Sequence, residues 1–213
     1  MATLKKQNRS SKGRTRGRRP TFEREEALEV ALDLFWRHGY EGVSISDLTQ
    51  AIGIAAPSLY HAFGSKEELY KEVIGRYQGV GLSAAQIAAC SSSLEATRRV
   101  LEFGVSAVTG SKRPLGCMVS SGLLMSSPQH SGVAVHVRKE RAKLRAALQK
   151  SIEKDIRSGE LDASVNAASL ARFYATVLQG MSVQAIDGAT QADLTAVMET
   201  ALSSWPQKNK QSD

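Results

Sequence analysis

Ser58, Tyr60, His61 and Lys66 place a hydroxyl, a phenol, an imidazole and an ammonium within nine residues of one another. Small and medium polar side chains at that density suit hydrogen bonding to phosphate oxygens and base edges, the chemistry by which a helix reads duplex nucleic acid. Catalytic sets are missing. The chain has no G-x-G-x-x-G, G-x-x-x-x-G-K-[ST], H-E-x-x-H or G-x-S-x-G pattern, so the cofactor, phosphate, zinc and serine-nucleophile chemistries tied to those spacings have no footing. His38, His61, His130 and His136 are scattered, and the six-residue step from His130 to His136 fits no common metal-ligand spacing. Solvent exposure is the expectation for that pair. No enzyme activity, metal or cofactor is expected.

The elements that must carry those polar groups can be read around them. Ser44 followed by Asp47 is an S-x-x-D start signal, in which hydroxyl and carboxylate satisfy free amides at a helix N-terminus. A short helix from Ile45 to Ile52 follows, and Gly53 supplies the backbone freedom to end it. A second helix starts near Ala56, where Pro57 is tolerated because first-turn amides lack intrahelical partners. Leu59 and Phe63 fall on its inner face, leaving Ser58, Tyr60 and His61 for the rest. Such a surface fits a major groove about 12 Å wide. Gly64 stops it, and Ser65 with Glu68 opens another helix whose N-terminal amides, beside Lys66, suit a phosphate oxygen. The layout is that of a helix-turn-helix. An amphipathic helix precedes it, capped at Thr21, with Ala27, Val30, Ala31, Leu34, Phe35 and His38 as the packing stripe and Gly39 at its end. Trp36 reads as a packing residue at the domain edge rather than a base stacker.

From Arg24 to Leu69 the chain, with ALDLFWRHGYEGVSISDLTQAIGI followed by APSLYHAFGSKEEL, resembles the DNA-binding domain of the TetR/AcrR family of bacterial transcriptional regulators. The resemblance implies phosphate contacts from Ser44, Tyr60, His61 and Lys66, and places Ala56, Pro57 and Ser58 toward base edges. The chain departs from the family where members often carry Ser and then Lys-Gly-Thr. Here Ala55 precedes Ala56, Pro57 and Ser58, which removes a capping hydroxyl and a long base-reading side chain. Direct readout is expected to be sparse and to lean on Ser58 and on apolar contacts such as thymine methyls.

Charge is distributed unevenly. Of the net +7 over 213 residues, residues 1–20 carry eight basic side chains and no acid, leaving 20 basic against 21 acidic residues in the remainder. This arm, polar and without apolar periodicity, is expected to be disordered in solution. Arg16, Arg18 and Arg19, next to the reader, are candidates to lie along phosphates or reach into the adjacent minor groove; the alternative is a solubilising tail. No stretch reaches the about 20 apolar residues that cross a bilayer, and the basic N-terminus lacks the apolar run of a secretory signal. Cys90 and Cys117 form neither a metal spacing nor a disulfide framework. A cytoplasmic location without membrane association is expected.

Beyond Ser65 the pattern stays helical, giving an all-α chain: a basic arm (1–20), a three-helix reader (21–65), a helical domain (66–205) to which the resemblance assigns ligand binding and dimerisation, and a polar tail (206–213). A connecting helix holds Leu69, Val73, Ile74 and Tyr77 and ends or kinks near Gly79 and Gly81. The next carries Leu94, Leu101, Val105 and Val108, and the apolar run Gly116 to Met125 reads as a buried helix stopped by Pro128. Val137 to Ile156 is amphipathic and charged, with Gly159 marking its end.

Two late stripes, Leu170, Phe173, Tyr174, Val177, Leu178, Met181 and Ala185, then Leu194, Val197, Met198, Ala201, Leu202 and Trp205, serve either one chain's core or a bundle formed by two chains. The family resemblance implies dimerisation through these helices, with Leu170, Tyr174, Val177, Met181, Leu194, Val197, Met198 and Leu202 as interface candidates. A homodimer would set two reader helices about 34 to 36 Å apart on a palindromic operator. The same resemblance implies a small-molecule effector in the later helices, with Phe103, Cys117, Met118, Leu123, Met125 and Phe173 as candidate walls; each is otherwise an ordinary core residue. A ligand favouring the spread form must weaken operator binding by the factor by which operator weakens it. Cys117 follows the basic pair Lys112 and Arg113, a setting for a redox or electrophile sensor if those charges fold close to it, and for inert packing otherwise. Together these features imply a ligand-released repressor, with an activator or a ligand-independent regulator as the alternatives and an enzyme as the remote one.

Overall fold

In the computed structural model residues 23–78, 82–110, 113–124 and 126–206 are described. Among them there are ten α-helices and no strand: α1 (Arg24–His38), α2 (Ile45–Ile52), α3 (Ala56–Phe63), α4 (Lys66–Gln78), α5 (Ala84–Ala88), α6 (Ser93–Thr109), α7 (Met118–Ser121), α8 (Ser131–Arg157), α9 (Ala167–Ile186) and α10 (Gln191–Ser203). A single 3₁₀ turn, Pro128–His130, leads into α8.

Two cores organise these helices. The first takes Ala27, Leu28, Ala31, Leu32 and Phe35 of α1, Leu48 of α2, Leu59 and Phe63 of α3, and Leu69, Tyr70, Val73 and Ile74 of α4. Met118, Val119, Val133 and Val137 of α7 and α8 complete it. An aromatic ladder runs through it, with Phe35 edge-on to Tyr70 at 5.0 Å, Tyr40 edge-on to Tyr70 at 5.0 Å, and His130 edge-on to Tyr40 at 5.0 Å. Such contacts add to simple area burial. Burial pushes the Tyr70 phenol up to about 12.

The second core is built from α5, α6, α8, α9 and α10, around Leu101, Leu148, Ile152, Tyr174, Met181 and Leu194. The buried Asp155 carboxylate accepts from both the amide and the hydroxyl of Ser93 at 2.7 Å, tying the start of α6 to α8. Gly104 lets α9 approach α6 closely, because a Cβ there would lie 2.2 Å from Leu178 Cδ1.

The structure departs from the sequence expectations at several points. Thr21, the expected cap of α1, lies outside the described residues, and Glu23 occupies the N-cap position without a side-chain bond. The buried stripe of α1 is turned by one residue: Leu28 and Leu32 are buried while Val30 and Leu34 are only half-buried and His38 is exposed. The cause is α4, which packs along α1 as well as α2 does. Gly116 to Met125 is not one buried helix. Gly116 and Leu123 take left-handed backbone at φ 79° and 49°, α7 is confined to Met118–Ser121, and Leu124 is 65% exposed. The short α5 was not read from the sequence. Neither His130 nor His136 is fully exposed, each being half-buried.

Candidate functional site

Ser44 and Asp47 make the reciprocal cap that fixes α2. The Ser44 amide and hydroxyl donate to Asp47 Oδ2, each at 2.7 Å, and the Asp47 amide donates back to Ser44 Oγ at 3.1 Å. The Ser44 hydroxyl, then its amide, hold the Asp47 carboxyl below its ordinary range, against a small opposing cost of burial. Gly53 ends α2 in the left-handed region at φ 76°, ψ 30°.

α3 then projects from a buried anchor. Leu59 and Phe63 are in the core, while Pro57, Tyr60 and His61 are exposed and Ala56 and Ser58 half-exposed. Tyr60 is 47% accessible, so its hydroxyl is open to solvent-side partners. Ala55 at the N-cap offers no side-chain bond, so the first amides of α3 are capped only through backbone geometry. Lys66 opens α4 with its Nζ 4.2 Å above the Tyr40 ring. Partial burial lowers its pKa, opposed by the nearby Glu41 and Asp47 carboxylates. Ser44 caps α2, Ala56, Pro57, Ser58, Tyr60 and His61 lie on α3, and Lys66 starts α4. Arg16, Arg18 and Arg19 lie outside the described residues.

The back of this unit is zipped by charges. Arg24 forms a two-pronged pair with Glu72 at 2.5 and 2.7 Å, and Arg76 pairs with Glu29 at 2.8 Å and with Glu25. Exposed pairs of this kind stabilise little, because water screens the attraction and ordering two long side chains costs entropy. A second link joins the loop after α1 to the later helices. Glu41 Oε1 accepts from the Ser127 amide at 2.8 Å and lies 3.0 Å from His130 Nδ1. His130, then the Ser127 amide, hold the Glu41 carboxyl below its ordinary range.

A cavity of about 470 Å³ opens among α4, α5, α6, α8 and α9. Its walls are mainly apolar, and Trp36 of α1 closes one side. The Trp36 ring stands edge-on to Tyr77 at 4.8 Å, and the Arg113 guanidinium lies 5.9 Å from its centroid. Trp36 is thus a packing residue. Burial, first, and the neighbouring Cys117 push the Tyr77 phenol far above its ordinary range. Cys117 is half-buried, accepts at sulfur from the Ser120 amide at 3.4 Å and donates its own amide to Ser182 Oγ at 2.7 Å. Arg113 lines the same cavity, and Arg141 is the cation that interacts with Cys117; Lys112 is outside the described residues.

Of the wall candidates, Phe103 and Cys117 line this cavity. Met118 and Leu123 instead pack against the first core, because the turns around α7 swing them toward α4. Phe173 points outward, 44% exposed, and Met125 lies outside the described residues. Leu82, in the connection before α5, and the helical Ile87, Val100 and Leu144 are walls the sequence did not single out; each is an ordinary apolar residue with no local mark.

The dimer candidates separate similarly. Tyr174, Met181, Leu194, Met198 and Leu202 are buried in this chain's own second core, with Tyr174 donating to the Ala201 carbonyl at 3.0 Å. Leu170 and Val177 are half-buried and Val197 is exposed. The outward face of α9 is Ser169, Phe173, Thr176, Gly180 and Val183, at steps of three and four. Gly180 has no neighbouring atom within 4 Å of a Cβ position.

Among the described residues no group of three or more His, Cys, Asp or Glu is placed to hold a metal ion, and no helix is long and apolar enough to cross a membrane.

A family model described as bacterial regulatory proteins, tetR family, matches residues 27–73. The HTH-type transcriptional repressor ComR of Escherichia coli is 32% identical over 197 residues, covering 91% of this chain and 94% of that protein. The HTH-type transcriptional repressor AcnR of Corynebacterium glutamicum is 26% identical, covering 86% of this chain and 92% of that protein. Among solved structures, a cysteine variant of the TetR family transcriptional regulator CifR, complexed with 26-base-pair operator DNA, superposes with a TM-score of 0.81 at 37% identity, covering 89% of this chain and all of that one. An exposed reader helix on a buried anchor, joined to a helical body with a cavity and extending over nearly the full length of these relatives, identifies the chain as a member of the TetR family of bacterial transcriptional regulators.

Proposed function

We propose that the protein is a cytoplasmic, ligand-responsive transcriptional repressor that binds a palindromic operator as a homodimer. The carrying observation is the division of α3, with Leu59 and Phe63 buried while Pro57, Tyr60 and His61 face outward. That arrangement presents a rigid helix of small and polar groups to a major groove. The repressor names of ComR and AcnR, and the operator-bound state of CifR, support the reading for this chain. Dimerisation is assigned to the outward face of α9, Phe173, Gly180 and Val183, with Val197 of α10. An aromatic anchor beside an uncrowded glycine suits close packing against a second copy. The effector site is the cavity behind Trp36, Phe103 and Cys117.

Fluorescence anisotropy of the full chain on duplexes from its own upstream region tests the reading. Nanomolar, salt-dependent binding to a palindrome with two protomers per site is expected. Binding no tighter than to scrambled duplex overturns it. A promoter-reporter fusion fixes the sign: deletion of the gene should raise expression.

A further inference from the structure

Two donors on the cavity wall stand close together without a hydrogen-bond partner. The Trp36 indole Nε1 is buried and makes no hydrogen bond, and the guanidinium of the exposed Arg113 lies 5.9 Å from the centroid of that same indole and also acts on the Tyr77 phenol. The other charged groups on the walls are engaged. Arg141 donates to the carbonyls of Val119 and Gly122 at 2.9 and 2.8 Å, and the buried Glu140 Oε2, which accepts no hydrogen bond of good geometry, has its charge balanced by Lys143 Nζ at 2.5 Å. The deeper walls, including Ile87, Val100, Leu144 and Leu178, are apolar.

An indole N–H can only donate, and a guanidinium can only donate. A ligand that satisfies both must bring acceptors, and one that also neutralises Arg113 brings a carboxylate. Because Arg113 lines the cavity and is solvent-exposed, the anionic head need not be stripped fully of water, while its hydrocarbon body replaces water against the apolar walls. We infer that the effector of this cavity is an apolar monocarboxylic acid, its tail among α5, α6, α8 and α9 and its carboxylate received by Arg113 and the Trp36 N–H. This inference rests on the cavity being the effector site. Trp36 belongs to α1, and α1 packs on α2 and α4, so the acid would touch the DNA-reading unit directly while Arg113 holds it from the other half of the molecule. The release of operator then follows from a contact made on the reader itself rather than from a motion relayed through the body.

Isothermal titration of the full-length protein with octanoate, decanoate and phenylbutyrate, each paired with its primary alcohol and primary amide, tests the inference without DNA present. At least one acid should bind about tenfold or more tighter than its alcohol and amide, as a charge-assisted hydrogen bond requires. Arg113→Gln should remove most of that preference, and Trp36→Phe, which keeps the ring and loses only the N–H, should cut acid affinity about threefold to tenfold while leaving the alcohol's unchanged. Equal binding of acid and alcohol, no binding by any acid, or full acid preference in both variants overturns it. Operator affinity of the unliganded protein is measured in parallel. Its absence would defeat the regulator reading, whereas acid binding without operator release would defeat only the coupling through Trp36.

Discussion

Lys66 holds two positions at once in the chemistry of this surface. Its ammonium sits over the Tyr40 ring, which costs it hydration and depresses its pKa, yet it opens α4 beside free helix amides. Replacing it with Ala should weaken binding to every duplex alike and reduce the slope of log affinity against log salt by about one, measured by anisotropy across a salt series. Tyr60→Ala should also act on all sequences, whereas Ser58 substitutions should shift preference between operators. A Leu59→Ala change beneath them should cost about 2–5 kcal/mol in denaturant unfolding, because it empties a fully buried site. These residues were legible from order along the chain, since helix-stop glycines and a capping box pin the phase of α2 and α3 to the residue. The outward Phe173 was not legible. In α9 apolar residues surround the helix, and the choice of face is made by α6, α8 and α10, which no local pattern reveals.

At the scale of elements, the link between Glu41 and the turn before α8 has a pH signature. The Glu41 carboxyl, ordinarily near 4.5, is depressed by His130 and Ser127. A depressed folded value means that its contribution is complete above the ordinary value and is lost as pH falls through the lowered one. Acid unfolding followed by far-ultraviolet circular dichroism should therefore show a steeper loss below that ordinary value for the native chain than for Glu41→Gln. Helix α1 illustrates what a stripe can and cannot tell. Its period was plain, but its buried centre is displaced toward Leu28 and Leu32 because α4 adds a second packing surface. The segment after Gly116 misled for the opposite reason: its composition is apolar enough for a helix, while two left-handed residues break the backbone there.

For the whole molecule, assembly is the property most open to measurement. Phe173→Asp together with Val197→Asp should convert the dimer to monomer in sedimentation velocity while preserving helicity, since both side chains are exposed. Operator affinity should fall by more than tenfold once the two half-sites are no longer read together. Deleting residues 1–19 should flatten the salt dependence by less than the eight charges removed, because only some reach phosphate together. The all-helical order and the position of the reader were visible in the sequence; the boundary between its two cores was not, because it runs across α7 and α8 rather than between consecutive residues.

That shared boundary limits how the molecule can be recombined. Met118, Val119, Val133 and Val137 complete the core of the first four helices from far along the chain. A chimaera transplanting residues 23–78 onto a foreign sensor would arrive with an open seam where those four side chains belong, and would take only in a host offering apolar groups of matching size at the same points.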